Sequence, residues 1–333
     1  MNKNKINNDN VLTINDLKFF YGIPRCTSTS EHYNISTEQI FYYARNNGLN
    51  FIFLSDNNNL LLKRVSMQNK IMTKFEKMKY TALSYRRKHN HFIPLIGFQT
   101  STSFLGNISI INSNTFFTGI AANIELFLLW CSYNNKSLII ISNNENNITN
   151  FNYNKYLNKI VQCIEVSGSN KKNCSICEKN YYHMLDMGWE LSAVSGGYKN
   201  ILNSSNLHST TCVLSQDFAK DSILNSFKLH RTYSTESLSL KFYFTINNHF
   251  MGGTIPKTDE KLFFSIYAED KNIKINSIFI ISQNGIIIKR VENLNLNKVK
   301  YLYSHKPRMI EHWYIIKIVQ ENNKTAYSSP IFR

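Results

Sequence analysis

The stretch FFYGIPRCTSTSEHYNISTEQIFYYARNNGLNFIFLSD, residues 19–56, decides the fold class. Its first apolar run, residues 19–23, predicts a strand, and a polar loop follows it. The segment STEQ has the form of a capping box, so a helix is predicted to begin at Ser36 and to end at Gly48. Residues 49–54 are apolar apart from Asn50, which is typical of a strand buried on both faces. The stretch therefore predicts a βαβ unit with two parallel strands.

Short apolar runs continue to alternate with helical patterns up to about residue 215. Helices are predicted at about 60–88, 119–134 and 175–187. Strands are predicted at 92–98, 108–111, 138–141, 160–166 and 190–194. About seven parallel strands separated by helices indicate a barrel, with a doubly wound open sheet as the alternative. In both folds the functional site is expected at the carboxyl ends of the strands, where the βα loops lie close together.

The rest of the chain has a different pattern. A predicted helix at about 217–229 is followed by strands with period-two alternation, and Asn284-Gly285 between two of them is a strong hairpin signal. Such strands, separated by Gly and Asn turns, are typical of an antiparallel β-sandwich. They are predicted at 240–246, 262–267, 277–281, 286–291 and 313–319. The predicted organisation is a polar N-terminal tail (1–16), an α/β barrel (17–215), a helical connection (216–236) and a C-terminal β-sandwich domain (237–333).

The chain is basic, since 38 lysine and arginine residues against 22 acidic residues give a formal charge of +16. This charge suits an anionic partner, such as a phosphorylated small molecule, an acidic surface or a polynucleotide. The densest cationic stretch, residues 63–88, is interpreted either as the solvated face of a helix or as an anion-binding surface. No stacking platform or nucleic-acid motif accompanies it, so nucleic-acid association rests on charge alone.

Cysteine usage and the absence of an apolar leader indicate the compartment. No secretory signal is recognisable, and no apolar stretch approaches the roughly 18 residues of a membrane span. We therefore expect a cytoplasmic protein with free thiols and no membrane span. Cys174 and Cys177 have the spacing of half a zinc site or of a redox pair. No second pair follows at the spacing of a zinc site, so the role of these two cysteines stays open.

Several segments occur in a characteristic order along the chain. They are residues 36–56 and 93–98, Ile164-Glu165-Val166, Met184-Leu185-Asp186-Met187-Gly188-Trp189, Arg231-Thr232-Tyr233-Ser234-Thr235, Met251-Gly252-Gly253 and Tyr327-Ser328-Ser329-Pro330-Ile331. In this order they resemble the PHP (polymerase and histidinol phosphatase) superfamily, specifically its CehA/McbA-like branch of metallohydrolases. The resemblance covers almost the whole chain. It implies a distorted PHP-type (β/α)7 barrel followed by a small antiparallel β-sandwich domain.

The sequence departs from that family at the metal-ligand positions. The family's first strand ends in His-x-His-Thr, where this chain has Pro24, Arg25, Cys26 and Thr27. An Asp in the next loop is matched by Glu31, and an Asp-His pair after the second strand is matched by Asp56 and Asn57. Further along, the Glu of a Gly-Tyr-Glu motif becomes Gln99, and the His of a following Gly-His becomes Asn107. The His-Pro pair becomes Asn143 and Asn144, and the closing Asp-x-His becomes Tyr198, Lys199 and Asn200.

These replacements argue against metal-dependent hydrolysis. A zinc or manganese cluster needs imidazole and carboxylate ligands, and no histidine stands at the matched positions. Amides are weak neutral ligands, and the charges of Arg25 and Lys199 oppose a metal cation. Without the metal there is no Lewis acid and no activated water. The sequence therefore predicts a non-catalytic PHP-like protein without a metal cofactor, which binds an anionic small molecule or a protein partner at the former active site.

Two alternative functions stay open at this point. The first is a residual metal-dependent phosphoesterase that holds zinc or manganese through Glu31, His32, Asp56 and Glu165. The second is a basic protein associated with nucleic acid. Individual residues also have two interpretations: Glu165 is a metal ligand or a buried carboxylate paired with Arg25 or Lys199. Cys26 is an inert buried thiol or a nucleophile whose thiolate is favoured by Arg25.

Overall fold

A computed structural model describes residues 16–28, 35–67, 69–143, 148, 151–167, 174–198, 201, 207 and 209–333. Most of the predicted N-terminal tail lies outside these ranges. The same is true of five residues singled out in the sequence, namely Glu31, His32, Asn144, Lys199 and Asn200.

The N-terminal two thirds of the chain alternate strands with helices, as predicted. In chain order the elements are β1 (Lys18–Cys26), α1 (Thr37–Asn46), β2 (Phe51–Asn57), β3 (Arg64–Met67), β4 (Lys70–Thr73), α2 (Lys74–Lys88), β5 (Ile93–Thr102), β6 (Gly106–Ile111), α3 (Ile124–Tyr133), β7 (Leu138–Ile141), α4 (Lys155–Asn158), β8 (Cys163–Ser167), α5 (Cys174–Asp186) and β9 (Ser192–Ser195).

The C-terminal third consists almost entirely of strands. Its elements are β10 (Thr210–Ser215), α6 (Lys220–Lys228), β11 (Thr232–Thr235), β12 (Lys241–Ile246), β13 (His249–Phe250), β14 (Leu262–Glu269), β15 (Ile275–Ser282), β16 (Ile286–Val291), β17 (Lys298–His305), β18 (Trp313–Gln320), β19 (Thr325–Ser328) and β20 (Ile331–Phe332).

The opening βαβ unit is confirmed. The Ser36 hydroxyl accepts a hydrogen bond from the Gln39 backbone at 3.2 Å, and the Gln39 side chain accepts one from the Ser36 backbone at 3.0 Å. These reciprocal bonds fix the start of α1. β1 and β2 pair in parallel, and a side chain at Gly22 would collide with Phe51 on the neighbouring strand. Glycine at this position therefore permits the close approach of the two strands.

One large sheet runs through the molecule in the order β16-β15-β18-β19-β11-β10-β1-β2-β5-β6-β7-β8-β9. β1, β2 and β5 are parallel neighbours, as are β7, β8 and β9. β6 lies antiparallel between β5 and β7, so the prediction of a parallel strand at 108–111 was wrong. The reason is the connection: residues 103–105 join β5 to β6, whereas a parallel crossover needs about a dozen residues or more.

Two predicted helices begin later than expected. The segment predicted as a helix at 60–88 first forms the β3–β4 hairpin, and α2 begins only after Thr73. A capping box between Thr73 and Glu76 sets this start, with the Glu76 backbone donating to the Thr73 hydroxyl at 3.2 Å. The helix predicted at 119–134 begins at residue 124, where the Asn123 side chain caps it. Local side-chain capping decided both boundaries.

The C-terminal strands also form a second sheet, in the order β13-β12-β14-β17, with antiparallel pairing throughout. Its buried side chains, such as Phe242 and Phe264, share a hydrophobic cluster with Ile278 and Ile316 of the large sheet. The hairpin predicted at Asn284-Gly285 is confirmed, since these residues join the antiparallel strands β15 and β16. Both have positive φ, at 59° and 69°, which suits Asn and Gly.

Strand β17 was not predicted because it lies at the edge of the second sheet, where Val299 alone of its side chains is buried. The large sheet also crosses the predicted domain boundaries. β10 pairs with both β1 and β11, and β11 pairs in turn with β19. The division into domains stays a prediction. Among the described residues, no helix has both the length and the apolarity to cross a membrane.

Candidate functional site

Five of the predicted site residues lie where strands of the large sheet end. Arg25 and Cys26 end β1, Asp56 lies near the end of β2, and Glu165 lies in β8. Asn143 follows β7 by two residues. We call these five residues, together with Tyr198 after β9, the mouth. The sheet order brings them together because parallel strands place their carboxyl ends on one edge.

The two ends of the strand run from β1 to β9 meet at the mouth. Cys26 and Tyr198 form a parallel bridge. The Thr27 backbone donates to the Tyr198 carbonyl at 3.0 Å, and the Tyr198 backbone donates to the Arg25 carbonyl at 3.1 Å. The Tyr198 hydroxyl donates to the Ser209 carbonyl at 2.9 Å and accepts from the Ser209 backbone at 2.8 Å. Tyr198 therefore has a structural position, with its hydroxyl fully used by Ser209.

Arg25 and Glu165 form a buried ion pair at the mouth. Nε and Nη2 of Arg25 donate to Oε1 and Oε2 of Glu165, with 3.0 Å between Nη2 and Oε2. Arg25 is 9% exposed and Glu165 is 0% exposed. A side chain at residue 197 would collide with the guanidinium, so the glycine at this position leaves room for Arg25. The two-pronged geometry matches the planar guanidinium to the carboxylate. Of the two partners that the sequence suggested for Glu165, Arg25 is paired with it, and Lys199 lies outside the described residues.

Asn143 holds the neighbouring segments together. Its side-chain Nδ2 donates to the Glu165 carbonyl at 2.7 Å and to the Cys177 carbonyl at 2.8 Å. Its Oδ1 accepts from the Asn180 amide at 2.8 Å, and its backbone N–H donates to Oε2 of Glu165 at 3.3 Å. The Cys177 thiol donates to the Asn143 carbonyl at 3.1 Å. These bonds occupy the side-chain amide of Asn143 with partners from the protein itself.

Asp56 is the second buried carboxylate of the mouth. Its Oδ1 accepts from the Ser28 backbone at 2.6 Å, and its Oδ2 accepts from the Ser28 hydroxyl. The ammonium of Lys74, at the start of α2, lies 2.6 Å from Oδ2. Asp56 is fully buried, while the Lys74 side chain is 19% exposed. Asp56 thus has a cation of the protein as its partner, as Glu165 does.

The Cys26 thiol is buried and poorly suited to nucleophilic chemistry. Burial, followed by the nearby Asp56 carboxylate, raises the pKa of Cys26 to about 12. Arg25 lowers this pKa by less than burial raises it. A reactive cysteine needs an accessible thiolate near neutral pH. The inert-thiol interpretation is therefore the one that the surroundings of Cys26 support.

Three further predicted residues make local contacts away from the two ion pairs. Asn57 accepts from the Asn59 backbone at 3.0 Å and so caps a short 3-10 turn. The Gln99 amide donates to the Ser55 hydroxyl at 3.3 Å, and Asn107 accepts from the Ser101 hydroxyl at 2.5 Å. Each of these three side chains therefore has a hydrogen-bond partner within the protein.

Sequence reasoning missed Lys74, Ser28 and Asn180, which complete the contacts of the mouth. Nothing in the local sequence distinguishes Lys74 from the other lysines of residues 63–88. Lys74 is the first residue of α2, directly after the Thr73 cap, and it meets Asp56 only in the folded chain. Across the described part of the chain, no three His, Cys, Asp or Glu residues are grouped so that they could hold a metal ion. Within this part of the chain Cys177 therefore belongs to no such group, and the side chain of Cys174 is not among those that the structure describes.

Comparisons with known proteins identify the fold. No family model matches the sequence, and no curated protein matches it. One similar crystal structure is a two-domain protein containing a predicted PHP-like metal-dependent phosphoesterase, from Bacteroides vulgatus. It has a TM-score of 0.52 and 10% sequence identity, covering 91% of each chain. PsfC from Pseudomonas syringae has a TM-score of 0.45 and 8% identity, covering 66% of this chain and 92% of its own. The chain is thus a mixed α/β protein whose fold is similar to that of the Bacteroides vulgatus structure.

Proposed function

We propose that this chain is a non-catalytic relative of the PHP-like phosphoesterases, in which ion pairs of the protein take the place of the metal cluster. One observation carries the proposal: both buried carboxylates of the mouth already have a cationic partner. Glu165 is paired with Arg25, and Asp56 is paired with Lys74. A metal ion would have to displace both partners, and each cation would oppose its approach.

The ligand chemistry of the described residues does not fit a hydrolytic metal cluster. Such a cluster takes imidazole and carboxylate ligands with free lone pairs. At the matched positions Pro24 has no donor atom in its side chain, and the Asn143 amide is already used by its neighbours. A residual site built on Glu31, His32, Asp56 and Glu165 would need both carboxylates to release their cations. Glu31 and His32 lie outside the described residues, so this alternative stays a prediction.

We also infer that β1, β2 and β5 to β9 form the distorted (β/α)7 barrel of this proposal. The Cys26–Tyr198 bridge, which links the ends of this strand run, supports closure. The cluster shared by the two C-terminal sheets supports a small β-sandwich, as in the CehA/McbA-like branch. A cytoplasmic location belongs to the same proposal, supported by the buried free thiols.

A cavity beside the mouth supports binding of an anionic small molecule. It has a volume of about 620 Å³ and extends from Ser28 along the starts of α1 and α2. Lys63 and Lys77 line it together with Glu38, with Lys74, whose charge is paired with Asp56, and with apolar side chains such as Met78. Lysines beside apolar surface favour a ligand with an acidic group and a carbon skeleton. The proposed function is therefore binding at the former active-site region rather than hydrolysis there.

Metal analysis of the purified full-length protein tests the proposal. The protein would be produced with zinc and manganese in the medium and measured by inductively coupled plasma mass spectrometry. Hydrolysis of p-nitrophenyl phosphate would be followed with each metal added and after treatment with a chelator. We expect substoichiometric metal, no chelator-sensitive hydrolysis and an unchanged melting temperature in the chelator.

The variants Asp56→Asn and Glu165→Gln provide the matched control. If hydrolysis depends on the mouth, either variant should abolish it and lower the metal content. Activity that survives both variants would come from a contaminant. Stoichiometric metal together with hydrolysis lost in both variants would contradict the proposal and support the residual phosphoesterase.

A further inference from the structure

A second cationic cavity lies at the opposite edge of the sheet from the mouth. It has a volume of about 190 Å³ and lies against the first residues of β5 and the segment that follows β6. Since β6 runs antiparallel to β5, both of these segments are at the amino end of the parallel strands. Lys79 and Arg86 of α2 and Lys220 of α6 line the cavity. The cavity is thus separate from the site of the proposed function.

The three cations have no carboxylate partner within the part of the chain that the structure describes. The Lys79 ammonium donates to the carbonyls of Ser113 and Asn114, at 3.3 and 3.1 Å. The Lys220 ammonium donates to the Asn112 side chain at 3.3 Å. All of these acceptors are neutral, so they leave the positive charge uncompensated. Burial and the neighbouring Lys220 both lower the pKa of Lys79, which reflects this uncompensated charge.

Ser113 is a second and independent indication of a ligand. It lines the same cavity and is 3% exposed, and its hydroxyl has no hydrogen-bond partner among the described residues. Buried hydroxyl groups nearly always have a partner, because leaving one unpaired costs free energy. Within the described part of the chain the Ser113 hydroxyl thus lacks a hydrogen-bond acceptor, and it lies in a cavity that is lined by three cations. An anion with several oxygen atoms supplies such an acceptor.

The size and lining of the cavity narrow the class of anion. A volume of about 190 Å³ accommodates one tetrahedral oxyanion with a small substituent. Its apolar wall includes Ala82, Pro94 and Leu95, which suits a short carbon skeleton rather than a second charged group. Lysine and arginine side chains with a hydroxyl donor are typical ligands of phosphate.

We propose that Lys79, Arg86, Lys220 and Ser113 form a binding site for the phosphate group of a small phosphate monoester. The dianion compensates two of the three cations and accepts the Ser113 hydrogen bond. The carbon substituent lies on the apolar wall. Binding requires no metal and is independent of the ion pairs at the mouth.

Calorimetric titration of the full-length protein tests the site, with inorganic phosphate and phenyl phosphate as probes at one fixed ionic strength. We expect saturable binding of phenyl phosphate, and weaker binding of inorganic phosphate because it leaves the apolar wall uncovered. The variant Lys79→Gln/Lys220→Gln should weaken phenyl phosphate binding by roughly tenfold or more, since it removes two charge-assisted hydrogen bonds. Equal affinity for both probes would mean that the site takes free phosphate rather than an ester, which overturns the ester assignment.

The matched control is Arg87→Gln/Lys88→Gln, which lowers the formal charge of +16 by the same two units on the exposed end of α2. It should bind phenyl phosphate as the wild type does. Without ligand, Lys79→Gln/Lys220→Gln should melt at a higher temperature than this control, because the repulsion between the two lysines is removed. Circular dichroism checks the fold of both variants. Identical binding by both variants, or no saturable binding by the wild type, would overturn the proposal.

Discussion

Arg25 lies at the end of β1, and its guanidinium neutralises the buried carboxylate of Glu165 from within the protein. Burying two charges is costly, and their attraction repays the cost only while both partners are present. The Asn143 backbone adds a further hydrogen bond to the same carboxylate. Removing either partner should therefore be far more harmful than removing both.

At the residue scale, Arg25→Met should lower the free energy of unfolding by about 3–5 kcal/mol, because Glu165 would stay buried without its partner. The double variant Arg25→Met/Glu165→Leu should recover most of this loss. Urea unfolding of both variants measures the difference. As a control, Arg290→Ala should change stability by less than about 1 kcal/mol, since the Arg290–Glu292 pair is exposed. A similarly small loss in Arg25→Met would show that the buried pair is not needed.

At the scale of elements, two features explain which elements the sequence predicted correctly. They are the capping of the helices and the burial of the strand side chains. Ser36 begins α1 as its capping box predicts, and the same type of box at Thr73 begins α2. The β3–β4 hairpin before Thr73 was unexpected, because its short strands carry no buried side chain that would give them a periodic pattern. Local hydrogen bonds are readable in the sequence, while pairing with a distant strand is not.

His230 connects two elements, since it follows α6 and its ring Nδ1 lies 2.8 Å from the Ser192 hydroxyl on β9. Burial lowers the pKa of His230 from 6.5 to about 4. The unfolded chain therefore takes up a proton as the pH falls through 6.5, whereas the folded protein does so only near pH 4. The stability linked to His230 is fully present above pH 6.5 and is lost as the pH falls toward 4.

We accordingly expect the wild type to lose about 2 kcal/mol more than His230→Asn between these two pH values. Asparagine suits the positive φ of 52° at this position, so the backbone should be preserved. Urea unfolding of both proteins at several pH values isolates the contribution, since the other titrating groups are common to both. Parallel stability curves would mean that His230 does not titrate as proposed.

At the scale of the whole molecule, the α/β part and the β-rich part share one sheet, and one hydrophobic cluster contains side chains of both. Trp313, Ile315 and Tyr327 from the C-terminal strands belong to the hydrophobic cluster of the N-terminal elements. The Lys317 ammonium lies 2.9 Å from Glu178 of α5, and β11 pairs with β19. These contacts join the parts that the sequence predicted to be separate domains.

We therefore expect the full chain to unfold in a single cooperative transition. Circular dichroism and the fluorescence of the three tryptophans should give coincident urea curves. A fragment comprising residues 1–236 should fail to unfold cooperatively, because it leaves β11 without β19 and exposes the shared core. Two separate transitions in the full chain, or a cooperative fragment, would contradict this expectation.

Sequence patterns alone predicted the βαβ unit, the alternation of strands and helices, the C-terminal hairpin at Asn284-Gly285 and the identity of the residues at the mouth. These features depend on local periodicity, capping and turn chemistry, which act over a few neighbouring residues. The packing of the folded chain was needed to show that β6 is antiparallel, that Lys74 pairs with Asp56 and that three cations meet beside Ser113. Each of these depends on which distant segments pack together. The formal charge of +16 follows directly from the sequence. The place where cations lack a carboxylate partner among the described residues does not, because it depends on how α2, α6 and β5 come together in the fold.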